Sequence, residues 1–387
     1  MVLLAFSLTR DLGPARFSLT AAGFDGLEGW AEDRLSRAVP AFLKSCARLL
    51  SLPNTAAIDP IPKVADYGRV GDWQKLCLAA AAVPPGDDAA ARRFFESSFV
   101  PLSVADYGQP EGLFTGYFEI ELNGSRQRHG RYQTPIYRRP PELGSGPRYS
   151  RAAIEDGALA GRGLELLWVD DPIDAFFLEI QGSGRVRLEN GSTVRVGYDG
   201  KNGLPYVPVG RLLVERGDIP RPQVTMITIR DWMNQHPEAG AALRRENPSY
   251  VFFREQGDEG AIGAEGVVLT AERSLAVDRA YVALGLPIWL EVDERFAAAE
   301  SVRRLVVAQD TGGAIKGPVR GDLFWGIGAA AAWRAGVMNA RGRYYLLLPA
   351  GLAARLSRRG WASWYIRARG AGTAIPRKLA RADEVIR

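Results

Sequence analysis

Residues 302–328 read VRRLVVAQDTGGAIKGPVRGDLFWGIG, and their reading decides how the rest of the chain is taken. The apolar run at 305–308 is too short for a helix and is bounded by turn residues, which predicts a strand buried on both faces. It ends at an acid, Asp310, followed by Thr311, Gly312 and Gly313. Paired glycines let a ligand come close to bare backbone. After a second turn at Gly317 and Pro318 comes another acid, Asp322, beside Phe324 and Trp325. An apolar setting favours the protonated form of a carboxyl, so the stretch offers two acids on one rim with different surroundings. Asp beside Gly is also ordinary turn chemistry, and either acid alone reads equally as a turn residue.

Composition narrows the chemistry. A chain of 387 residues is long enough for two domains with ample cores. Lys and Arg exceed Asp and Glu by 49 − 44 = 5, which suits an anionic polymer. The arginines are scattered among alanines, however, and no compact basic run with interleaved aromatics points to nucleic acid. With only His129 and His236, a His-rich metal site and a Ser-His-Asp triad both lack raw material. Carboxylates are left to carry acid–base work, with no metal and no cofactor expected. Cys46 and Cys77 have neither metal-site nor C-x-x-C spacing and read as small core residues, with a disulfide between them left open. The apolar start at 2–6 is too short for a signal-peptide core, and no membrane span or internal repeat is visible.

In chain order, apolar spacing predicts a helical pair over 27–50, with Pro40 in a first turn, then helices at 72–82 and 88–99. At 113–122 the period switches to two and a sheet region begins; 133–137 is a further strand. Ser150 is placed to cap a short helix. A strand over 176–180 leads into Gln181, Gly182, Ser183 and Gly184, and a hairpin across Asn190 and Gly191 sets Val186 and Leu188 against Val194 and Val196. Lys201, Asn202 and Gly203 make the next turn. Helices follow at 209–215, 225–234 and 238–245, then strands at 247–253, 266–270, 275–277, 288–291 and 343–348. The Arg-rich tail beyond Gly370 reads as solvated.

The motif D-T-G-G-A-I-K-G at 310–317, followed by G-D-L-F-W-G at 321–326, resembles the C-terminal region of the membrane-bound lytic murein transglycosylase A family. The family's three characteristic aspartates match Asp278, Asp310 and Asp322, and its T-G-Y, Q-G-S-G and G-K-N-G motifs match the stretches at Thr115, Gln181 and Gly200 in the same order. The resemblance runs from about residue 23 to 349. It implies a mainly β fold with helical decoration: a double-psi β-barrel domain, 1–115 plus 246–387, interrupted by a smaller β-barrel-like domain, 116–245, with a glycan groove between them. It further implies non-hydrolytic cleavage of the N-acetylmuramic acid–β-1,4–N-acetylglucosamine bond, leaving a 1,6-anhydro end. Asp322 matches the catalytic acid and base, Asp310 a supporting carboxylate, and Asp278 a structural one. Thr115, Tyr117, Gln133, Gln181, Gly182, Ser183, Gly184, Lys201, Asn202, Gly312, Gly313 and Lys316 are the residues it places against the glycan. The implied partners are peptidoglycan strands and cell-wall synthesis or division proteins, with no nucleic acid, for a monomer in the periplasm or at the outer membrane. The family's lipid-anchoring cysteine near the N-terminus has no visible counterpart here.

Two other classes fit parts of the sequence. An apolar strand ending in D-T-G is also the signature of aspartic proteases, but that chemistry needs two acids sharing a proton and the chain has no second D-T-G or D-S-G. An expansin-like, non-catalytic glycan-binding barrel would use the same fold with Asp322 dispensable.

Overall fold

The structure, a computed structural model, describes residues 16–62, 64–257, 260–293 and 301–358. The apolar start and the Arg-rich tail lie outside them.

The chain opens with β1 (Ser18–Ala21) and three helices, α1 (Val39–Leu50), α2 (Val70–Ala81) and α3 (Asp88–Ser98). Of the predicted pair over 27–50, only the second member forms a helix. Upstream, Phe24–Gly26 and Leu35–Arg37 make single turns. Gly29 has a φ of 77°, a left-handed conformation that interrupts helical continuation. Pro40 does sit in the first turn of α1, where its missing N–H costs nothing. Cys46 and Cys77 are disulfide-bonded, tying α1 to α2, so they are more than the small core residues expected of them. Phe42, Trp73, Phe94, Phe95 and Phe99 meet ring to ring beneath these helices, with centroids 4.9–6.5 Å apart.

Next come β2 (Phe99–Ala105), the long β3 (Gly112–Ser125), β4 (Thr134–Tyr137), a short α4 (Arg151–Ala153) capped by Ser150, and β5 (Glu165–Val169). Residues 176–180, predicted as a strand, lie inside α5 (Pro172–Gln181). A short apolar run does not distinguish strand from buried helix; the ends do. Asp171 accepts from the Ile173 N–H, Pro172 starts the helix and Gly182 closes it at φ 79°. The expected hairpin follows as β6 (Ser183–Leu188) and β7 (Thr193–Lys201), then α6 (Val209–Arg216), α7 (Met226–Gln235), α8 (Pro237–Glu246) and β8 (Val251–Gln256). The predicted strand at 266–270 is reduced to a single bridge between Ile262 and Val268. The chain closes with β9 (Ser274–Val277), β10 (Pro287–Val292), β11 (Val302–Asp310), β12 (Arg320–Ile327), α9 (Ala329–Val337), β13 (Asn339–Pro349) and α10 (Ala350–Arg358).

Hydrogen bonding joins β13, β10, β11, β9, β12 and β3 in that order, and β3 pairs back onto β13, so these six strands close a ring. A closed ring has no free edge, and its interior is filled by residues such as Leu275, Ile288, Val306, Leu323 and Leu346. β3 belongs to two sheets. It follows β12 through Glu119, and from Ile120 onward it runs beside β6 in a second sheet that continues through β7 to β8 and also holds β5 and β4. β8 pairs with β7 throughout its length, from Val251 to Gln256. Alternating apolar residues suit either sheet, and only register distinguishes them.

Candidate active site

Strand register brings the two acids onto one rung. Asp310 on β11 and Asp322 on β12 flank β9 on opposite sides, and both are paired with Ala276. On the far side of β12, Asp322 is paired with Thr115 of β3. Two strand spacings separate the acids' backbones by about 10 Å. The side chain between them is a single methyl.

Each acid is held differently. Asp322 is fully buried, and its Oδ1 accepts from the Thr115 hydroxyl at 2.5 Å. Arg320 Nη2 donates to that same hydroxyl at 2.9 Å. A guanidinium has donors only, so Thr115 must turn its one proton toward Asp322, which fixes the direction of the relay. Asp310 Oδ1 accepts from the Ala264 and Thr311 amides at 2.9 and 2.8 Å, and its Oδ2 accepts from the Tyr117 hydroxyl at 2.8 Å. These three donors fix its carboxylate. Tyr117 packs on Phe324, whose side chain shares the face of Asp322. Trp325 points the other way, onto Gly116 and between Arg304 and Arg334, so it is no neighbour of Asp322 as the sequence suggests. Asp278 accepts from the Ala280 and Gly317 amides at 3.0 and 2.8 Å, closing the loop that begins at Thr311.

A cavity of about 660 Å³ opens between the ring and the second sheet. From the ring side it is lined by Asp310, Gly312, Gly313 and Lys316, and from the other side by Gln181, Gly182, Ser183 and Lys201. Eight of the residues named from sequence therefore meet across one cleft. A second, small cavity of about 30 Å³ is lined by Thr115, Thr225 and Asn339. Ile180 and Gln181, the last turn of α5, line both. Asp322 lines neither of them, and lies behind Thr115.

Three expected glycan contacts are engaged elsewhere. Asn202 is buried; its amide donates to the Tyr149 and Pro248 carbonyls at 2.8 and 2.7 Å, and its oxygen accepts from the Leu204 and Tyr250 amides. Gln133 is exposed and bonded to Arg128 and the Gly130 carbonyl within its own turn. Gly184 is a packing residue: an added Cβ would lie 2.5 Å from Leu178 and 2.9 Å from the Ile120 carbonyl.

The cleft also contains a pair that no motif announces. Arg151 makes two hydrogen bonds to Glu179, at 2.8 and 2.9 Å, and both side chains are buried at the cavity wall. Arg151 further donates to the Asn247 and Ser249 carbonyls and lies over the rings of Phe176 and Tyr250. Burial by itself would lower the Arg151 guanidinium, but the charge and hydrogen bonds of Glu179 more than reverse this and raise it. The two residues are 28 apart in sequence, on different helices, which is why spacing alone does not reveal them. Among the described residues no cluster of three or more His, Cys, Asp or Glu is placed to hold a metal ion.

Residues 113–254 match the family model of the MltA specific insert domain, and residues 273–348 match the 3D domain. Membrane-bound lytic murein transglycosylase A of Escherichia coli (strain K12) is 36% identical over 288 residues, covering 73% of this chain and 75% of the relative. The crystal structure of the membrane-bound lytic murein transglycosylase from Agrobacterium tumefaciens superposes with a TM-score of 0.77 at 33% identity, over 87% of this chain and 99% of that one. E. coli MltA with bound chitohexaose gives 0.63 at 30% identity, over 87% and 95%. These matches define the class, a lytic transglycosylase with an inserted domain. The chain belongs to the membrane-bound lytic murein transglycosylase A family.

Proposed function

We propose that the protein cleaves the β-1,4 bond between N-acetylmuramic acid and N-acetylglucosamine in peptidoglycan without water, using Asp322 as general acid and then base. The observation that carries this reading is the shared rung: Asp310 and Asp322 lie on either side of Ala276, and Asp310 lines a cleft of glycan dimensions. Asp322 gives its proton to the glycosidic oxygen as the bond to the muramyl anomeric carbon breaks. Its carboxylate then takes the proton of the muramyl 6-hydroxyl, whose oxygen closes on that carbon to give the 1,6-anhydro ring. One acid is used twice and regenerated. Asp310, held by three donors at the cavity wall, faces the positive charge that develops on the sugar. The Arg320–Thr115 relay orients Asp322.

Asp322 is buried and Asp310 lines the cavity, so the strand must enter over the seam where Ile180 and Gln181 separate the two cavities. This same burial favours a second reading, in which Asp310 is the proton donor.

We further assign the closed ring as the double-psi barrel, and the insert as the segment from Ile120 through Gln256. Glycan strands are the substrate; the chitohexaose bound by the E. coli relative is a neutral analogue of one. The Cys46–Cys77 disulfide supports an oxidising, periplasmic location at the cell envelope.

The test is a digest of purified peptidoglycan read by mass spectrometry. Expected products are one water lighter than those of a hydrolase and resist borohydride. Reducible ends would refute the mechanism. Turnover retained in Asp322→Asn and lost in Asp310→Asn would move the acid role to Asp310.

A further inference from the structure

The charges lining the cleft do not balance. Arg151 and Glu179 neutralise each other within the wall. Asp310 is held by two amides and a tyrosine hydroxyl. Lys201 and Lys316, which line the same cavity, form no ion pair with any described residue. They approach from opposite sides: Lys201 ends β7 of the second sheet, and Lys316 lies in the ring's loop after Asp310. Lys201 Nζ reaches across the cleft to 3.9 Å from the position a Cβ would take on Gly313. Arg254, also at this cavity, has an acid only at its margin, 3.9 Å away on Asp199.

A glycan strand of N-acetylated sugars is neutral along its backbone. Its anionic groups hang from the 3-O-lactyl substituent of every second sugar, as a free carboxylate when the substituent is bare and as the carboxylates of the peptide when it carries a stem. Two ammonium groups without acid partners, on facing walls of a glycan-sized cleft, complement that pattern and have no counterpart to match in a plain sugar. We propose that Lys201 and Lys316 form a carboxylate subsite that grips the lactyl substituent or the stem it bears, fixing which sugar of the repeat lies beside the acids. This deepens the transglycosylase reading and rests on it. A strand of alternating sugars offers two kinds of glycosidic bond, and an anion anchor on one sugar type selects between them.

The test uses tetrasaccharides of the alternating repeat in three forms: bare lactate, lactate methylamide, and tetrapeptide-bearing. Binding is measured by calorimetry on Asp322→Asn, so that no ligand is consumed, with chitohexaose as a neutral check that the groove is intact. At least one charged form should bind about tenfold more tightly than the methylamide at low salt. The gap should shrink at high ionic strength, close when Lys201→Met and Lys316→Met are added, and return with arginine at both positions. A gap for the bare form alone assigns the lactyl carboxylate, and one for the tetrapeptide form alone assigns the stem. Equal affinity for all three forms, or a gap that survives both methionine changes, overturns the subsite. Failure of the parent reading is seen separately: wild type would then release no anhydro ends from any of the three forms.

Discussion

The ring and the inserted sheet use polar residues in opposite ways. In the ring, the acids singled out by motif converge on one rung, and the groups around them, Thr115, Tyr117 and the Ala264 amide, serve to hold those acids. In the insert, residues with the look of sugar ligands, Asn202 above all, are consumed by their own backbone. A closed ring satisfies its main chain strand to strand and leaves side chains available for chemistry. The second region is threaded with turns and short helices, and side-chain amides must complete its main-chain bonding.

The sharpest test of this contrast is at the rung. Asp322→Asn should lower turnover by about 10²–10⁴-fold, the usual yield of a positioned acid–base group, without unfolding the ring. Asp310→Asn should produce a smaller loss. Initial rates of anhydro-muropeptide release, alongside circular dichroism, check both.

On the insert side the largest effect should fall on stability. Arg151→Met leaves Glu179 buried with no cation and the Asn247 and Ser249 carbonyls without their donor, and breaking such a pair costs about 3–5 kcal/mol. Urea unfolding should show that loss. A change near zero would mean the pair is better solvated than its burial implies.

A third test concerns Glu265, a buried acid in the segment between β8 and β9. Glu265 accepts from the Ser45 hydroxyl at 2.6 Å, while its Oε1 has no hydrogen-bond partner among the described residues and lies 3.7 Å from Arg48. Burial, opposed by the Ser45 bond and Arg48, pushes the carboxyl from its usual 4.5 up to about 7. Below the lower value the group is protonated in the folded and unfolded chain alike, and no penalty applies. As pH rises between the two, the unfolded chain releases the proton and the folded chain keeps it, so stability falls; above about 7 the loss is complete. The linkage is on the order of 3 kcal/mol. Glu265→Gln should remove that part of the slope, read as the difference in urea midpoint between pH 5 and pH 8 against wild type.

Much of the ring was legible because its strands are short, apolar and punctuated by glycine and proline, and the D-T-G-G and G-D motifs mark where two of them end and begin. What spacing does not carry is register. That Asp310 and Asp322 both pair with Ala276 depends on β9, a strand of four residues whose neighbours are fixed only when the ring closes. The facing of Trp325 is a matter of alternation instead: it lies three positions from Asp322 on β12, and a period of two puts an odd spacing on opposite faces. In the insert, the five-residue apolar window at 176–180 reads as a strand, yet the Asp171-Pro172 start and Gly182 stop that make it part of α5 are local signals in the same sequence. The Arg151–Glu179 pair and the disulfide join helices that nothing local connects.

The smallest expected effects come from Asn202 and Gln133, two amides the family motifs suggest for glycan contact. Asn202→Ala strips the Tyr149 and Pro248 carbonyls and the Leu204 and Tyr250 amides of their partner inside a buried turn. Leaving such groups unsatisfied costs about 1–3 kcal/mol. Lys201 is the adjacent residue, so loosening this turn should also weaken strand binding, in proportion to the stability lost. Gln133 is exposed, bonds only within its turn and lines no described cavity, so Gln133→Ala should stay within about 0.5 kcal/mol of wild type and leave kcat/KM on glycan unchanged. Urea midpoints and kcat/KM for the two variants give the comparison. A stable Asn202→Ala with a large rise in KM would make that amide a true ligand. A drop in kcat/KM for Gln133→Ala would extend the glycan path along the insert, beyond the cleft between the sheets.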